Sequence, residues 1–265
     1  MVSVFNIEGL RVIITASSRG IGFGIAKVLV REGARVVISS RNKERLYRAL
    51  HELNNIGSGE AYAVQADLTR REDIERLVEE SLDKLGGLDA IVYVTGPPRP
   101  GRFQDLGLDD WEYGVRLLVM SAVWLTYYSL PYILESANPS IVYVTSVAVR
   151  EPIETIALSN TLRISVHGLV KTLARELGRK GVRVNAVLPG YIYTDRIREI
   201  ASDKAVRTGK SEEEIINDMI KEVPLGRIGR PEEVGYLVAF LLSNYASYIN
   251  GASIPIDGGL LKSVF

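Results

Sequence analysis

Short runs rich in valine and isoleucine alternate along the chain with longer amphipathic stretches. The short runs lie at residues 11–15, 35–39, 60–65, 90–94, 140–145, 183–188 and 253–256. The stretches with helical periodicity lie at residues 22–32, 43–54, 71–85, 110–135, 161–179 and 231–243. Continuous apolar runs separated by crossover helices are typical of buried parallel strands. The pattern predicts an α/β fold, doubly wound in three layers around a seven-stranded parallel sheet.

One long polar segment, residues 195–223, departs from this alternation. It separates the sixth strand from the last helix, and its part KSEEEIINDMIKEV has helical periodicity. Long excursions between regular elements usually carry a function. We therefore expect residues 195–223 to form a lid over a substrate pocket.

Length, charge and composition narrow the possible functions. The 265 residues and the unbroken alternation predict a single domain over residues 1–265. Basic and acidic residues both number 32, so the chain lacks the positive field that nonspecific nucleic-acid binding needs. With no cysteine and only two histidines, no metal site is predicted. The sequence has neither a basic–apolar leader nor an apolar run of about 20 residues, so we expect a soluble, cytoplasmic protein without a membrane partner.

The first predicted strand leads into a glycine-containing turn, TASSRGIG at residues 15–22, and then into a helix. Gly20 and Gly22 would let the backbone approach a pyrophosphate, and the helix would direct its free N–H groups and positive dipole end at the anion. Strand, turn and helix follow in the required order, so we interpret the segment as the nucleotide-binding turn of a Rossmann-type domain. The alternative is a tight strand-to-helix turn with no ligand.

Several motifs together resemble the short-chain dehydrogenase/reductase (SDR) family over essentially the whole chain. They are the turn, ADL at residues 66–68, GLVKTLARELG at 168–178, VRVNAVLPG at 182–190, and the stretch from PLGRIGRPEEVGYLVAFLLS to INGASIPIDGG. The family's turn usually reads TGxxxGIG, and here Ala16 replaces the first glycine. The resemblance implies a nicotinamide cofactor, a small-molecule substrate, and assembly as a homodimer or homotetramer.

The end of the second predicted strand favours NADP(H). An NAD-preferring protein usually carries an acid there to bind the ribose 2′-hydroxyl, whereas this chain reads Ser39-Ser40-Arg41. Arg41, Ser40 and Arg19 could bind a 2′-phosphate through charge-assisted hydrogen bonds. NAD remains possible, because both arginines could instead be solvated surface charges.

The resemblance implies further contacts with the cofactor. Asp67 corresponds to the residue that contacts the adenine, and Gly96 to the last residue of the usual NNAG motif. Residues 189–194 resemble the PGxxxT stretch at the nicotinamide end, with Ile192 and Thr194 as the matching contacts. The full set of predicted cofactor-binding residues is Thr15, Ser17, Ser18, Arg19, Gly20, Ile21, Gly22, Ser40, Arg41, Asp67, Leu68, Gly96, Arg163, Pro189, Gly190, Ile192 and Thr194.

Most positions that correspond to the family's catalytic residues hold a different residue type in this chain. The family uses a tyrosine as general acid/base, a lysine four residues later, a serine about thirteen residues before the tyrosine, and an asparagine in the preceding helix. In this chain the four positions hold Ser159, Arg163, Ser146 and Leu118. We predict Ser146, Ser159 and Arg163 as the catalytic residues of a non-standard site. An aliphatic hydroxyl cannot match the tuned pKa of a phenol beside an ammonium, and arginine does not release a proton.

The same residues have an alternative, structural interpretation. Ser159 or Asn160 could simply cap the start of the helix, with Arg163 as an interface residue. A phenol from elsewhere could also replace the missing acid, because Tyr93, Tyr191 and Tyr193 lie on segments predicted to be loops beside the pocket.

Three functions are compatible with these observations. The first is an NADP(H)-dependent oxidoreductase of a divergent SDR branch, acting on a carbonyl or alcohol, with the three predicted catalytic residues polarising the carbonyl. The second is a catalytically silent nucleotide-binding protein that serves as sensor, scaffold or subunit. The third, less favoured, is a lyase or isomerase using the same cleft. We favour the first because the cofactor turn and the lid are both retained.

Overall fold

The computed structural model describes residues 3–264, without the side chains of residues 196, 203 and 207. Residues 1, 2 and 265 of the predicted domain therefore lie outside the described residues. Within 3–264, seven strands form one sheet in which all neighbours run parallel, in the order β3-β2-β1-β4-β5-β6-β7. The strands are β1 (Arg11–Ile14), β2 (Arg35–Ser40), β3 (Glu60–Gln65), β4 (Ala90–Tyr93), β5 (Ser140–Val144), β6 (Arg183–Pro189) and β7 (Ser253–Ile256). The predicted seven-stranded parallel sheet is confirmed.

Helices cover both faces of this sheet. They are α1 (Gly20–Arg31), α2 (Lys43–Leu53), α3 (Arg71–Leu85), α4 (Leu108–Val115), α5 (Ser121–Ile133), α6 (Ala157–Leu177), α7 (Asp195–Thr208), α8 (Glu212–Glu222) and α9 (Pro231–Leu242). The apolar residues of α1, α2 and α9 form a core with one face of the sheet, and those of α3, α5 and α6 form a second core with the other. The three-layer, doubly wound arrangement is confirmed.

The chain leaves the centre of the sheet in two directions. β1 pairs with β2 on one side and with β4 on the other, so the winding reverses between β1 and β4. In open parallel sheets such a reversal opens a crevice at the carboxyl ends of the central strands, where ligands bind. The ends of β1 and β4, at Ile14 and Tyr93, therefore mark the expected place of a site.

The segment 110–135, predicted as one helix, is interrupted. A π-helical turn, Arg116–Met120, separates α4 from α5, and the N–H of Ser121 donates to the carbonyl of Arg116 five residues earlier. The hydroxyl of Tyr93 lies 3.1 Å and 3.2 Å from the carbonyl oxygens of Leu117 and Leu118. A wider turn exposes carbonyl groups to such side-chain donors. The periodicity of the sequence alone does not reveal the added residue.

The helix that carries the predicted catalytic positions begins earlier than residue 161. α6 begins at Ala157, and Ile156 rather than a polar residue occupies its N-cap. Asn160 accepts from the N–H of Ile153 and donates to its carbonyl, at 3.2 Å and 2.8 Å. The alternative that Ser159 or Asn160 caps the helix is therefore wrong, because both residues lie within it.

Residues 195–223 form two helices, whereas only the second was read from the sequence. α7 ends at Thr208, and Gly209, whose φ of +71° suits glycine, follows as its C-cap. Ser211 caps α8 by accepting from the N–H of Glu214. A separate small apolar cluster joins the two helices, with Ile197, Ala201, Ile215 and Met219 as its buried members. Over the part of the chain that the structure describes, no helix is long and apolar enough to cross a membrane.

Candidate cofactor and active site

Two hydroxyl residues hold the turn between β1 and α1 in place. Thr15 Oγ1 donates to the carbonyl of Val94 at 2.7 Å and accepts from the N–H of Val94 at 2.8 Å. Ser17 Oγ donates to the carbonyl of Ile14 at 2.6 Å and accepts from the N–H of Ser39 at 3.0 Å. Both side chains are fully buried. The hydroxyls of Thr15 and Ser17 thus tie the turn to neighbouring strands instead of facing the crevice.

Glycine is required at two positions of this turn. Gly20 has a φ of +58°, and a Cβ at Gly22 would lie 2.6 Å from the carbonyl oxygen of Ala16. Ala16 itself has a φ of +46°, in the left-handed region that favours glycine. The residue that departs from the family motif therefore adopts the backbone conformation of the glycine that it replaces.

The start of α1 has the properties of an anion site. Arg19 occupies its N-cap without a side-chain hydrogen bond to the helix, and the first turn contains no acidic residue. The first N–H groups of a helix have no intrahelical acceptors, and the helix dipole favours negative charge there. Gly20 adds no side chain to this surface, and the missing Cβ of Gly22 lets the start of the helix pack against the backbone of Ala16 and Ser17. The predicted residues Ser18 and Ile21 belong to the same turn.

The segment after β6 reaches the same turn from the other side of the crevice. Gly190 donates its N–H to the carbonyl of Ile256 at 3.1 Å, and Ile192 is buried. The methyl carbon of Thr194 lies 3.5 Å from the position that a Cβ on Gly20 would take. Pro189 ends β6, and Thr194 precedes α7. The predicted nicotinamide-end segment therefore adjoins the predicted pyrophosphate turn.

The carboxyl ends of β2 and β3 form the predicted adenosine end. Arg41 Nη1 donates to the Tyr113 hydroxyl at 3.1 Å. Asp67 Oδ1 accepts from the N–H and hydroxyl of Thr69, and Leu68 is buried beside it. A cavity of about 340 Å³ opens here, lined by Arg41, Gln65, Asp67, Arg70, Asp73 and Arg76. No sequence motif marks Arg70, Arg76 or Tyr113, so only the structure places them at this cavity or in contact with Arg41.

The three predicted catalytic residues lie on two elements, the segment after β5 and the helix α6. Ser146 follows β5, and its Oγ accepts from the N–H of Ala148 at 3.1 Å. Ser159 and Arg163 lie one turn apart on α6, each only 8% exposed. Arg163 Nη2 donates to Thr95 Oγ1 at 3.2 Å, and Thr95 directly precedes Gly96. Thr95, which the motif analysis did not select, thus links the end of β4 to α6.

The hydroxyls of Ser146 and Ser159 are available as donors. No acceptor for the Ser146 hydroxyl proton, and no hydrogen-bond partner for Ser159 Oγ, exists among the side chains and backbone that the structure describes. Ser159 is buried and Ser146 half-buried, and a serine with an unused donor is suited to binding a carbonyl oxygen. The guanidinium of Arg163 adds a permanent positive charge close by.

Two of the three candidate phenols, Tyr93 and Tyr191, have a raised pKa and are therefore weaker acids than a free tyrosine. Tyr93 is not on a loop: it is the last residue of β4 and is fully buried, and burial raises the pKa of its phenol. Burial and the neighbouring Glu222 carboxylate, which accepts from the hydroxyl at 2.9 Å, raise the pKa of Tyr191. The hydroxyl of Tyr193 accepts from Arg198 at 3.0 Å. Leu118, at the position of the family's asparagine, is buried beside Tyr93.

His167 has an internal role near the site. Its Nε2 lies 2.9 Å from Thr145 Oγ1 and its Nδ1 lies 2.8 Å from Ser253 Oγ. Burial, reinforced by the positive charge of Arg150, lowers the pKa of His167 to about 4. The ring is therefore neutral at physiological pH and connects the end of β5, next to Ser146, with β7.

The sheet order, the reversal between β1 and β4, and the glycine turn at α1 define a Rossmann-type nucleotide-binding protein. Residues 15–261 match the family described as enoyl-(acyl carrier protein) reductase. Human dehydrogenase/reductase SDR family member 2, mitochondrial, is 34% identical over 247 residues, which are 93% of this chain and 84% of the relative. The 3-oxoacyl-(acyl-carrier-protein) reductase FabG of Thermotoga maritima is 32% identical over 259 residues, which are 97% of this chain and 99% of the relative. The chain belongs to the SDR family.

Solved structures lead to the same family. The L-sorbose reductase of Gluconobacter frateurii, crystallised with NADPH and L-sorbose, aligns with a TM-score of 0.93 and 28% identity. The alignment covers 98% of this chain and 99% of that chain. The curated and solved relatives thus include oxidoreductases of the SDR type.

Proposed function

We propose that the protein is an NADP(H)-dependent oxidoreductase of the SDR type that acts on a carbonyl or alcohol substrate through a non-standard catalytic site. One observation carries this proposal: the turn from β1 to α1 places the first N–H groups of a helix at the centre of the crevice, where Gly20 adds no side chain and Gly22 lets the helix start close to the backbone of Ala16. A cofactor bound there would supply hydride chemistry. The protein's own residues must bind, orient and polarise the substrate.

The preference for NADP(H) rests on the charge at the end of β2. This end carries Ser40 and Arg41 in place of an acid, so a 2′-phosphate meets no like charge. The presence of NADPH in the L-sorbose reductase structure agrees with this preference. Arg41→Ala should weaken NADPH binding far more than NADH binding. Equal losses for the two cofactors would contradict the assignment and restore NAD as the alternative.

The proposed catalytic residues act through polarisation and charge. Ser146 and Ser159 would donate to the carbonyl oxygen, and Arg163 would stabilise negative charge developing on that oxygen. Because none of these residues is a tunable proton donor near neutral pH, water would supply the proton. This arrangement would set the chain apart as a divergent branch within its family.

A catalytically silent nucleotide-binding protein is the second candidate. It is favoured by the placement of Tyr93, whose phenol is buried beneath the π turn instead of facing the crevice. Such a protein would act as a sensor, scaffold or subunit, with cofactor binding as its retained property. The two candidates share the cofactor site and differ only in turnover.

The decisive experiment measures NADPH binding by calorimetry together with NADPH consumption over a broad carbonyl panel. Tight binding with turnover that falls at least tenfold in Ser146→Ala or Arg163→Ala supports the oxidoreductase. Tight binding without turnover supports the silent binder.

The double variant Ser159→Tyr, Arg163→Lys supplies a phenol and an ammonium with the family's spacing, so it tests whether the pocket still admits a reducible substrate. Failure to bind either nicotinamide cofactor would contradict both candidates.

Three further properties are part of the proposal. α7 and α8 would serve as the lid over the substrate, since they begin directly after Thr194. Assembly as a homodimer or homotetramer would cover exposed aromatic and aliphatic side chains on α5 and α6, such as Tyr127 and Ile164. A cytoplasmic location is proposed from the sequence. Light scattering tests the oligomeric state, and fractionation tests the location.

A further inference from the structure

The cavity at the carboxyl ends of β2 and β3 is lined by more arginines than the proposed function uses. Three arginines, Arg41, Arg70 and Arg76, line it together with Asp67 and Asp73. Clustered arginines with free donors are suited to a phosphate, which carries two or three acceptor oxygens and a charge of about −1.5 to −2. Which of the five charges are already neutralised decides what the cavity can bind.

Both acidic residues of the cavity are engaged. Asp73 Oδ1 accepts from Arg76 Nη1 at 3.1 Å, and Asp73 Oδ2 accepts from the N–H of Asp67 at 2.9 Å. Asp67 Oδ1 accepts from the N–H and the hydroxyl of Thr69, at 2.9 Å and 2.8 Å. Arg76 also approaches Glu80 at 3.6 Å. Arg76 and Asp73 thus neutralise each other, and Asp67 stabilises its own turn.

Arg41 and Arg70 remain without an acidic partner among the side chains that the structure describes. Arg41 uses Nη1 to donate to the Tyr113 hydroxyl, and the guanidinium keeps its other donors. Arg70 precedes α3 and makes no described side-chain hydrogen bond or ion pair. The backbone beside them is held firmly, because Gln65 Nε2 donates to the carbonyl of Arg41 at 3.0 Å. Two guanidinium groups without a described ion-pair partner therefore face one cavity, whose three arginines exceed its two aspartates by one positive charge.

We propose that Arg70 is a second specificity-determining residue, which binds the 2′-phosphate of NADP(H) from the β3 side while Arg41 binds it from the β2 side. This inference rests on the proposed function and replaces Arg19 as the second phosphate ligand, because Arg19 is paired with Asp195. A phosphate held by two guanidinium forks is recognised by geometry as well as charge. Arg41 belongs to the Ser39-Ser40-Arg41 segment at the end of β2, whereas Arg70 lies just before α3.

Calorimetry with 2′,5′-ADP and with 5′-AMP tests the inference without turnover or a nicotinamide ring. Arg70→Gln should raise the Kd for 2′,5′-ADP about tenfold and leave the Kd for 5′-AMP within about twofold. Arg48→Gln is the matched control, because Arg48 is an exposed α2 arginine paired with Glu44 at 3.1 Å. It should leave both constants unchanged. Inorganic phosphate should displace 2′,5′-ADP only weakly, because the adenosine positions the phosphate.

The outcomes separate this inference from the proposed function. If Arg41→Gln loses selectivity for 2′,5′-ADP and Arg70→Gln behaves as the wild type, only the role of Arg70 is overturned. Equal losses of 2′,5′-ADP and 5′-AMP in Arg70→Gln also overturn it, since Arg70 would then contact the adenine or hold the fold. Inorganic phosphate that competes as strongly as 2′,5′-ADP would overturn it in favour of a free-phosphate site. A wild-type protein that binds both nucleotides equally would overturn the NADP(H) preference itself.

Discussion

Arg19 Nη1 lies 3.2 Å from Asp195 Oδ2, so an ion pair joins the turn of the cofactor site to the first residue of α7. Glu199, one turn further along α7, approaches the same guanidinium at 4.0 Å. The two elements are 176 positions apart in sequence. Their contact therefore links the proposed phosphate-binding turn to the position of the proposed lid.

Removing this ion pair should affect cofactor binding more than stability. Both side chains are about half exposed, and pairs of this kind contribute only about 0.2–1 kcal/mol to folding. Asp195→Asn removes a negative charge beside the proposed pyrophosphate turn, so the Kd for NADPH should fall about two- to fivefold. The control is Asp218→Asn, which breaks the α8 pair with Lys210, away from the turn. Weaker NADPH binding in Asp195→Asn would show that the pair preorganises the site instead.

Replacing Ala16 by glycine should stabilise the fold. The φ of +46° at Ala16 costs an L-residue about 1–2 kcal/mol, whereas the extra freedom of glycine in the unfolded chain costs about 0.4–1 kcal/mol. We expect Ala16→Gly to raise the free energy of unfolding in urea by up to about 1 kcal/mol. Ala16→Val, which adds a β-branch in the same backbone region, should lower it. A glycine variant less stable than the wild type would contradict the strain at this position.

The phenol of Tyr93 should matter for stability rather than for chemistry. It is within hydrogen-bond distance of the carbonyls of Leu117 and Leu118 and lies 2.7 Å from Ser121 Oγ. Tyr93→Phe leaves buried carbonyls with fewer donors, and the free energy of unfolding should fall by about 1–3 kcal/mol. The Kd for NADPH should stay within about twofold. Tyr245→Phe, at an exposed hydroxyl, is the control and should cost less than about 0.5 kcal/mol. A loss of turnover without a loss of stability would instead assign Tyr93 to catalysis.

His167 should make the protein less stable in mild acid. Its pKa is lowered from 6.5 to about 4 in the folded state, so the unfolded chain binds the proton more readily. Stability therefore falls as the pH drops from about 6.5 to about 4 and gains nothing above that window. The ring is partly exposed, and solvent screens its charge, so we expect His167 to contribute about 1–2 kcal/mol to the loss of folding free energy over this pH range. Urea unfolding at pH 7 and pH 4.5 measures this slope, and His167→Gln should flatten it. An equal slope in both proteins would assign the acid sensitivity to carboxylates.

The strands, the sheet and the turn could be predicted because their signals are local. Short apolar runs, most of them rich in valine and isoleucine, mark the strands, and glycine positions mark the turn before α1. Contacts between distant segments have no such signal. Nothing near Arg70 in sequence indicates that it shares a cavity with Arg41, and nothing near Arg19 indicates Asp195. The hydrogen bonds of the Tyr93 phenol have no local signal either, since its acceptors are carbonyl groups that only a π turn exposes.

The π turn Arg116–Met120 also sets the rotational phase of everything that follows it. Each residue of a helix advances the side-chain direction by about 100°, so one added residue turns the whole of α5 relative to α4. Deleting one residue from the turn would rotate α5 by the same angle. Buried Leu125 would then turn away from the core, and the direction in which Tyr127, now 71% exposed, projects would change too. The length of this segment, as much as its composition, therefore determines which face of α5 another protein subunit could meet.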